Sequence, residues 1–164
     1  MTTKTKAFET KDALDLYKKI IYTEGKAGRR MDKKQIEEMI DLAIKQRGYS
    51  YAPYSHFHVG AALLAKNGTY YTGCNIENAA YGSTMCAERN AVFGAYCKGY
   101  RKEDIIGLAI VADCSPIASP CGACRQVLSE LVDLEMPIFL ANKEKVEKHT
   151  IGELLPMVFI GESL

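Results

Sequence analysis

The octad Ile105-Ile106-Gly107-Leu108-Ala109-Ile110-Val111-Ala112 constrains the fold more than any other part of the chain. It is almost continuously apolar, which suits a strand buried on both faces and not one with a wet side. Such a strand needs cover above and below, and the flanking pattern predicts it. His58 to Ala65 and Thr69 to Cys74 read as two strands joined at Asn67-Gly68, a strong hairpin signal. Helices are expected from about Cys86 to Cys97 and from about Gly122 to Val132, the second carrying Val127, Leu128 and Leu131 on one side. Pro137 to Ala141 is a further short strand, and Val146 to Ile151 an edge strand. A hairpin followed by strand, helix, strand, helix and strand implies a mixed sheet with a parallel portion and helices packed across it. The fold class is α/β.

Upstream, a helix should begin near Asp32, with Gln35 three residues later in a capping-box arrangement. Ile36, Ile40 and Ala43 give it an apolar face, and Gly48 is its expected stop. Residues 1–31 form an extension to the domain at 32–164. Within the extension, Ala13, Leu14, Leu16, Tyr17, Ile20 and Ile21 recur at helical spacing, and Glu24 to Arg30 reads as a polar linker. Two readings of the extension stand: a leader ahead of a natural start at Met31, or an added helix docking on the core or a neighbour.

At 164 residues the chain can bury a sizeable core without disulfides. No apolar run approaches the ~20 residues of a membrane span, and the N-terminus lacks the apolar region of a secretory signal. A cytoplasmic protein with no membrane partner is therefore expected. The formal net charge of +1 supplies no clustered cation to hold a polyanion, which argues against nucleic acid.

Six cysteines in such a compartment stay reduced. Three have informative spacing. Pro120-Cys121-Gly122-Ala123-Cys124 follows an expected strand and opens an expected helix, so Cys121 and Cys124 share one face near its start. The unpaired N–H groups and positive end of a helix N-terminus stabilise thiolates, which favour zinc over harder ions. A Cys-x-x-Cys pair alone also suits a redox pair or half of a structural zinc site. Cys86-Ala87-Glu88 at another helix start adds a third thiolate, and three ligands with one open position is the catalytic zinc pattern. Glu88 can then move the proton of a metal-activated water. One geometric condition applies. Residues at i and i+2 diverge on a regular helix, so Cys86 and Glu88 converge only if Cys86 sits at or near the cap.

Cys-Ala-Glu paired with a downstream Pro-Cys-x-x-Cys resembles the zinc nucleoside and base deaminases in their three-cysteine form. Adding Ser55-His56-Phe57-His58-Val59-Gly60-Ala61-Ala62 and Gly73-Cys74-Asn75-Ile76-Glu77-Asn78-Ala79 narrows the resemblance to the small homotetrameric cytidine deaminases, from about Asp32 onward. The resemblance implies a three-layer α/β/α fold with a mixed five-stranded sheet. It implies one zinc per subunit on Cys86, Cys121 and Cys124, and water addition at C4 of cytosine in cytidine or 2′-deoxycytidine. Glu88 takes the water proton, protonates N3 and helps ammonia leave. It also implies that Asn75 and Glu77 contact the ribose hydroxyls, Phe57 stacks near the base and the Ala87 backbone recognises the base. A neighbouring subunit would complete the pocket with Ala79, Tyr81 and Phe159. Three thiolates on Zn²⁺ carry a net charge of −1, and Arg89 is the candidate to hydrogen-bond them and offset it.

The remaining singled-out residues have plainer expectations. Cys74, Cys97 and Cys114 are read as core packing. His56 and His58 are placed on a strand, facing away from Phe57. Tyr49, Tyr51 and Tyr54 around Pro53 suit either a substrate lip or an aromatic packing corner. Asn75 and Glu77 also suit turn chemistry, Asn75 the better of the two. Rival functions are a deaminase for another cytosine compound, a polynucleotide deaminase, a closed structural zinc module lacking its fourth ligand, and a thiol redox protein that leaves Cys86-Ala87-Glu88 unexplained.

Overall fold

The computed structural model describes residues 31–159 and 161. Strands β1 (Val59–Ala65), β2 (Tyr70–Cys74), β3 (Ile105–Ala112), β4 (Ile138–Ala141) and β5 (Val146–His149) form one sheet in the order β2-β1-β3-β4-β5. The described α-helices are α1 (Lys33–Arg47), α2 (Ala87–Cys97), α3 (Gly122–Leu131) and the single turn α4 (Ile151–Leu154). None is long and apolar enough to cross a membrane.

The apolar octad is the reason for three layers. Ala109 and Val111 of β3 join Ala62, Leu64, Phe139 and Ala141 beneath Ile36, Met39, Ile40 and Ala43 of α1. Their alternates, Leu108 and Ile110, join Leu63, Ile138 and Leu140 beneath Ala91, Val92 and Ala95 of α2 and Leu128 of α3. The three central strands β1, β3 and β4 thus each feed two cores by their period of two. Truncating a buried leucine such as Leu108 or Leu128 to Ala should cost about 2–5 kcal/mol.

Helix α1 begins as expected. The Asp32 side chain accepts from the Gln35 N–H at 2.8 Å, and Gln35 Oε1 accepts from the Asp32 N–H at 3.0 Å. Close approach fixes both helix layers. A methyl group at Gly60 would collide with the Ala43 carbonyl of α1, and one at Gly73 with the Ala87 carbonyl of α2.

Topology then decides where chemistry can gather. β1 is antiparallel to both β2 and β3, so β2 and β3 point the same way, and β4 is parallel to β3. Helices α2 and α3 each follow the carboxyl end of one of these strands. Their N-termini therefore lie at one edge of the sheet, the edge where open α/β sheets bind ligands.

Several expectations change. The last strand stops at His149 because Thr150 caps α4, its hydroxyl accepting from the Glu153 N–H and Glu153 accepting from the Thr150 N–H. Thr150-Ile151-Gly152-Glu153 is itself a capping-box signature that turns Ile151 into the core. Cys97 is exposed, not packed. It lies two residues beyond buried Ala95, about 200° around the helix, and faces water. Cys114 is half-buried and Cys74 is buried. His56 has φ 55° and precedes the strand, so strand alternation does not govern it or His58, whose Nδ1 pairs with Ser50 Oγ at 3.0 Å. Tyr49, Tyr51 and Tyr54 are exposed and make no packing corner among the described residues. The helix expected over residues 13–21 and the linker at 24–30 lie outside the described residues. Met31 is buried, its thioether end filling the space over Gly107.

Candidate active site

Cys86 and Cys121 are the N-cap residues of α2 and α3, both with extended backbone (φ −76°, ψ 156° and φ −65°, ψ 164°) and without a side-chain capping bond. This meets the geometric condition. Cys86 sits at the cap, and the Glu88 carboxyl, two residues on, interacts with both Cys86 and Cys124. Cys124 enters from the first turn of α3, buried. The three sulfurs lie within 4.8 Å of one another, Cys86 and Cys121 being 4.0 Å apart.

The donor set fits zinc. Zn–S bonds of ~2.3 Å in a tetrahedron set sulfurs roughly 3.8 Å apart, close to the spacing found. Among the described residues the cluster numbers three cysteines. Two helix N-termini converge on it with their unpaired N–H groups and positive dipole ends.

Protons distribute unevenly over the cluster. The hydrogen bond with Cys124, helped by the Arg89 guanidinium and Cys121, brings the Cys86 thiol down to about 5. Cys124 is pushed up, because it donates to Cys86 and is buried. Arg89 Nη2 donates to Cys86 Sγ at 3.5 Å and to the Thr84 carbonyl at 3.3 Å, while its Nε is buried without a partner among the described residues. Glu88 is 4% exposed, and its carboxyl is raised by burial first and the neighbouring Cys86 charge next. Ala87, between ligand and acid, is fully buried.

A second group assembles where β2 ends beside the start of β1. Asn75 and Glu77 are buried, and Ile76 between them is exposed, so the two do share a face. Both hold the loop ahead of β1. Asn75 Oδ1 accepts from the Val59 N–H and its Nδ2 donates to the Phe57 carbonyl, each at 2.8 Å. Glu77 accepts from the N–H groups of Tyr54 (2.9 Å) and Ser55 (3.2 Å) and from the Ser55 hydroxyl. These bonds, the Ser55 hydroxyl foremost, hold the Glu77 carboxyl below its usual range. Ser55 Oγ in turn accepts from the Phe57 N–H at 3.0 Å. The turn chemistry expected more of Asn75 is thus shared by Glu77. Asn90 of α2 joins the two groups, its Nδ2 donating to the Cys74 carbonyl at 2.8 Å.

Phe57 is half-exposed, and Ala79, Tyr81 and Phe159 are exposed. Tyr81 opens a 3-10 turn, Tyr81–Ser83, on the excursion between β2 and α2. Phe159 is tied by its carbonyl to Gln126 Nε2 of α3 at 2.8 Å. Sequence reasoning missed Ser55, Arg125 and Gln126. The Arg-Gln pair directly after Pro-Cys-x-x-Cys was the available signal for the last two, and Ser55 stood only as a member of a motif.

Fold and site together define an α/β protein with a three-cysteine cluster whose spacing fits zinc and a buried acid beside it. A family model described as the cytidine and deoxycytidylate deaminase zinc-binding region matches residues 33–139. The chain belongs to this family. It is 50% identical over 130 residues to a cytidine deaminase of Sporosarcina psychrophila, covering 79% of this chain and 94% of that one. With a cytidine deaminase of Halalkalibacterium halodurans it shares 47% over 127 residues, covering 77% and 95%. The crystal structure of cytidine deaminase from Burkholderia pseudomallei superposes with a TM-score of 0.74 at 42% identity, covering 79% of this chain and all of that one.

Proposed function

We propose that the protein is a zinc-dependent cytidine deaminase converting cytidine and 2′-deoxycytidine to uridine and 2′-deoxyuridine, with release of ammonia, in cytoplasmic pyrimidine salvage. The observation that carries this is a buried glutamate two residues from an N-cap cysteine, at a three-thiol cluster closed by two helix N-termini. Cys86, Cys121 and Cys124 would hold one zinc ion per subunit. When bound, zinc lowers the pKa of a water to ~7 and so supplies a nucleophile at neutral pH.

The chain's own residues do the rest. Glu88, shielded from bulk water, takes one proton of the attacking water and delivers it to N3, then carries the remaining proton of the new C4 hydroxyl to the departing 4-amino nitrogen. One water is consumed, the C4–N bond breaks and a C4–O bond forms. Arg89 offsets the thiolate charge through its bond to Cys86. The Ala87 backbone meets the base, and Phe57 stacks near it.

Glu77 and Asn75 have capacity left for a sugar. A carboxylate offers about four acceptor sites, and three are filled by Tyr54 and Ser55. Asn75 keeps one N–H and one lone pair. Ala79, Tyr81 and Phe159, all exposed, serve a neighbour's pocket in a homotetramer, in line with the family resemblance.

The test follows loss of the cytosine ultraviolet absorbance on protein of verified zinc content, alongside size measurement in solution. Turnover of both nucleosides by a tetramer is expected. A zinc-loaded protein inert toward both would overturn the reading, and the ribose assignments with it.

A further inference from the structure

Arg125 follows the last cysteine of the cluster, and its three nitrogens meet two separate pieces of chain. Nε donates to the Pro120 carbonyl at 2.8 Å, Nη2 to Ser119 Oγ at 2.7 Å and Nη1 to the Leu154 carbonyl at 2.8 Å. Pro120 immediately precedes Cys121, so the first two bonds fix the turn that delivers that thiol. Leu154 ends α4, a one-turn helix whose final carbonyls lack partners within the helix. Gln126, next along α3, donates to the Phe159 carbonyl at 2.8 Å.

All of these acceptors are neutral, so the guanidinium serves here as a fork and not as one half of an ion pair. Charged donors on carbonyls make strong bonds, and a lysine offers a single ammonium in place of the rigid planar fork. We propose that Arg125 and Gln126 are positioning residues: adjacent on α3, they lash the turn before Cys121 and both ends of segment 155–159 to the helix that carries Cys124. The thiol geometry and the placement of Phe159 are then set by one body. The link to substrate rests on the pocket role proposed above for Phe159; the lashing itself does not.

Three variants test it in the full chain, each first shown to be folded by circular dichroism. Arg125→Lys should release zinc to the chelator 4-(2-pyridylazo)resorcinol at least ~10-fold faster, the scale on which residues orienting metal ligands act. It should also speed amide hydrogen exchange across 155–159. Gln126→Ala should speed exchange in that segment and raise KM for cytidine several-fold, with kcat within about twofold and zinc release unchanged, since one neutral hydrogen bond contributes ~1 kcal/mol. A folded Arg125→Lys with wild-type zinc release and exchange overturns the proposal, as does Gln126→Ala with wild-type exchange. Phe159→Ala separates the two readings. If it leaves KM unchanged, the pocket role of Phe159 falls while exchange and zinc release still decide the lashing. If it raises KM and Gln126→Ala does not, the lashing does not position Phe159.

Discussion

Helices α2 and α3 begin alike and do different work. Each is capped by a cysteine with extended backbone that makes no capping bond, and each carries a functional side chain at the third helical position. In α2 that residue is Arg89, which turns back onto the Cys86 sulfur; in α3 it is Cys124, buried beside the same sulfur. The second helical position is Glu88 in α2 and Ala123 in α3. Helix α3 has its arginine one position later, aimed outward at backbone carbonyls. On the proposed reading, one helix start supplies sulfur, acid and countercharge; the other supplies sulfur and anchorage. The same N-terminal geometry makes a chemical edge or a mechanical one, according to which position carries the charge.

The largest test of this division compares one residue from each start. Cys124→Ala should lose zinc and, with it, all turnover. Glu88→Gln should keep wild-type zinc content and lose at least ~10²-fold in kcat, the contribution of a positioned acid–base group. Metal analysis beside initial rates reads both. A Glu88→Gln protein without zinc would make Glu88 part of the metal's hold and break the comparison.

Next in size is Arg89→Gln. If the α2 arginine serves charge, its loss should cost about 10–100-fold in activity or metal affinity, and Arg89→Lys should restore a good part. At Arg125 the same lysine should restore little, because there the fork and not the charge is in use. Equal rescue at both positions would erase the distinction.

The contrast also shows what sequence could carry. Ile105 to Ala112 announced a doubly covered strand because burial on two faces leaves no polar position, and the structure places it at the centre of the sheet, two strands from either edge. Cys86, Cys121 and Cys124 could be expected at one place because ligand chemistry demands fixed residue types at fixed spacing, and the structure brings their sulfurs within 4.8 Å of one another. The loop network was not. Ser55 bonds Glu77 across 22 residues and Arg125 bonds Leu154 across 29, and no local spacing rule registers a hydrogen bond made by tertiary placement. The Cys97 expectation failed for a nearer reason. Residue type favoured burial, while helical phase from Ala95 placed the thiol in water, and phase decides.

Ser55→Ala sharpens the comparison from outside both helices. It removes the hydroxyl shared by Glu77 and the Phe57 N–H, a loss of about 1 kcal/mol, so KM for cytidine should rise roughly fivefold with kcat nearly unchanged. The pH dependence has a definite sign. Glu77 is held below its usual value, so its support of the loop is complete above about 4.5 and fails only as pH falls through the lowered value. Without the Ser55 hydroxyl the carboxyl returns toward 4.5, and the acid-side rise in KM should move to higher pH. A profile that stays put would mean that Glu77 does not couple the loop to substrate.

The smallest expected effect lies at the other end of α2. Cys97 is the same residue type on the same helix as the Cys86 cap, but it is exposed at the last helical position. Cys97→Ser should leave zinc content and turnover at wild-type levels and change stability by no more than ~0.5 kcal/mol, read by denaturant unfolding. Cysteine chemistry in this chain would then depend on the helix terminus and not on the helix. A loss of zinc from Cys97→Ser would show instead that strain travels the length of α2 to the Cys86 cap, and the two helix starts could no longer be treated as independent of what lies behind them.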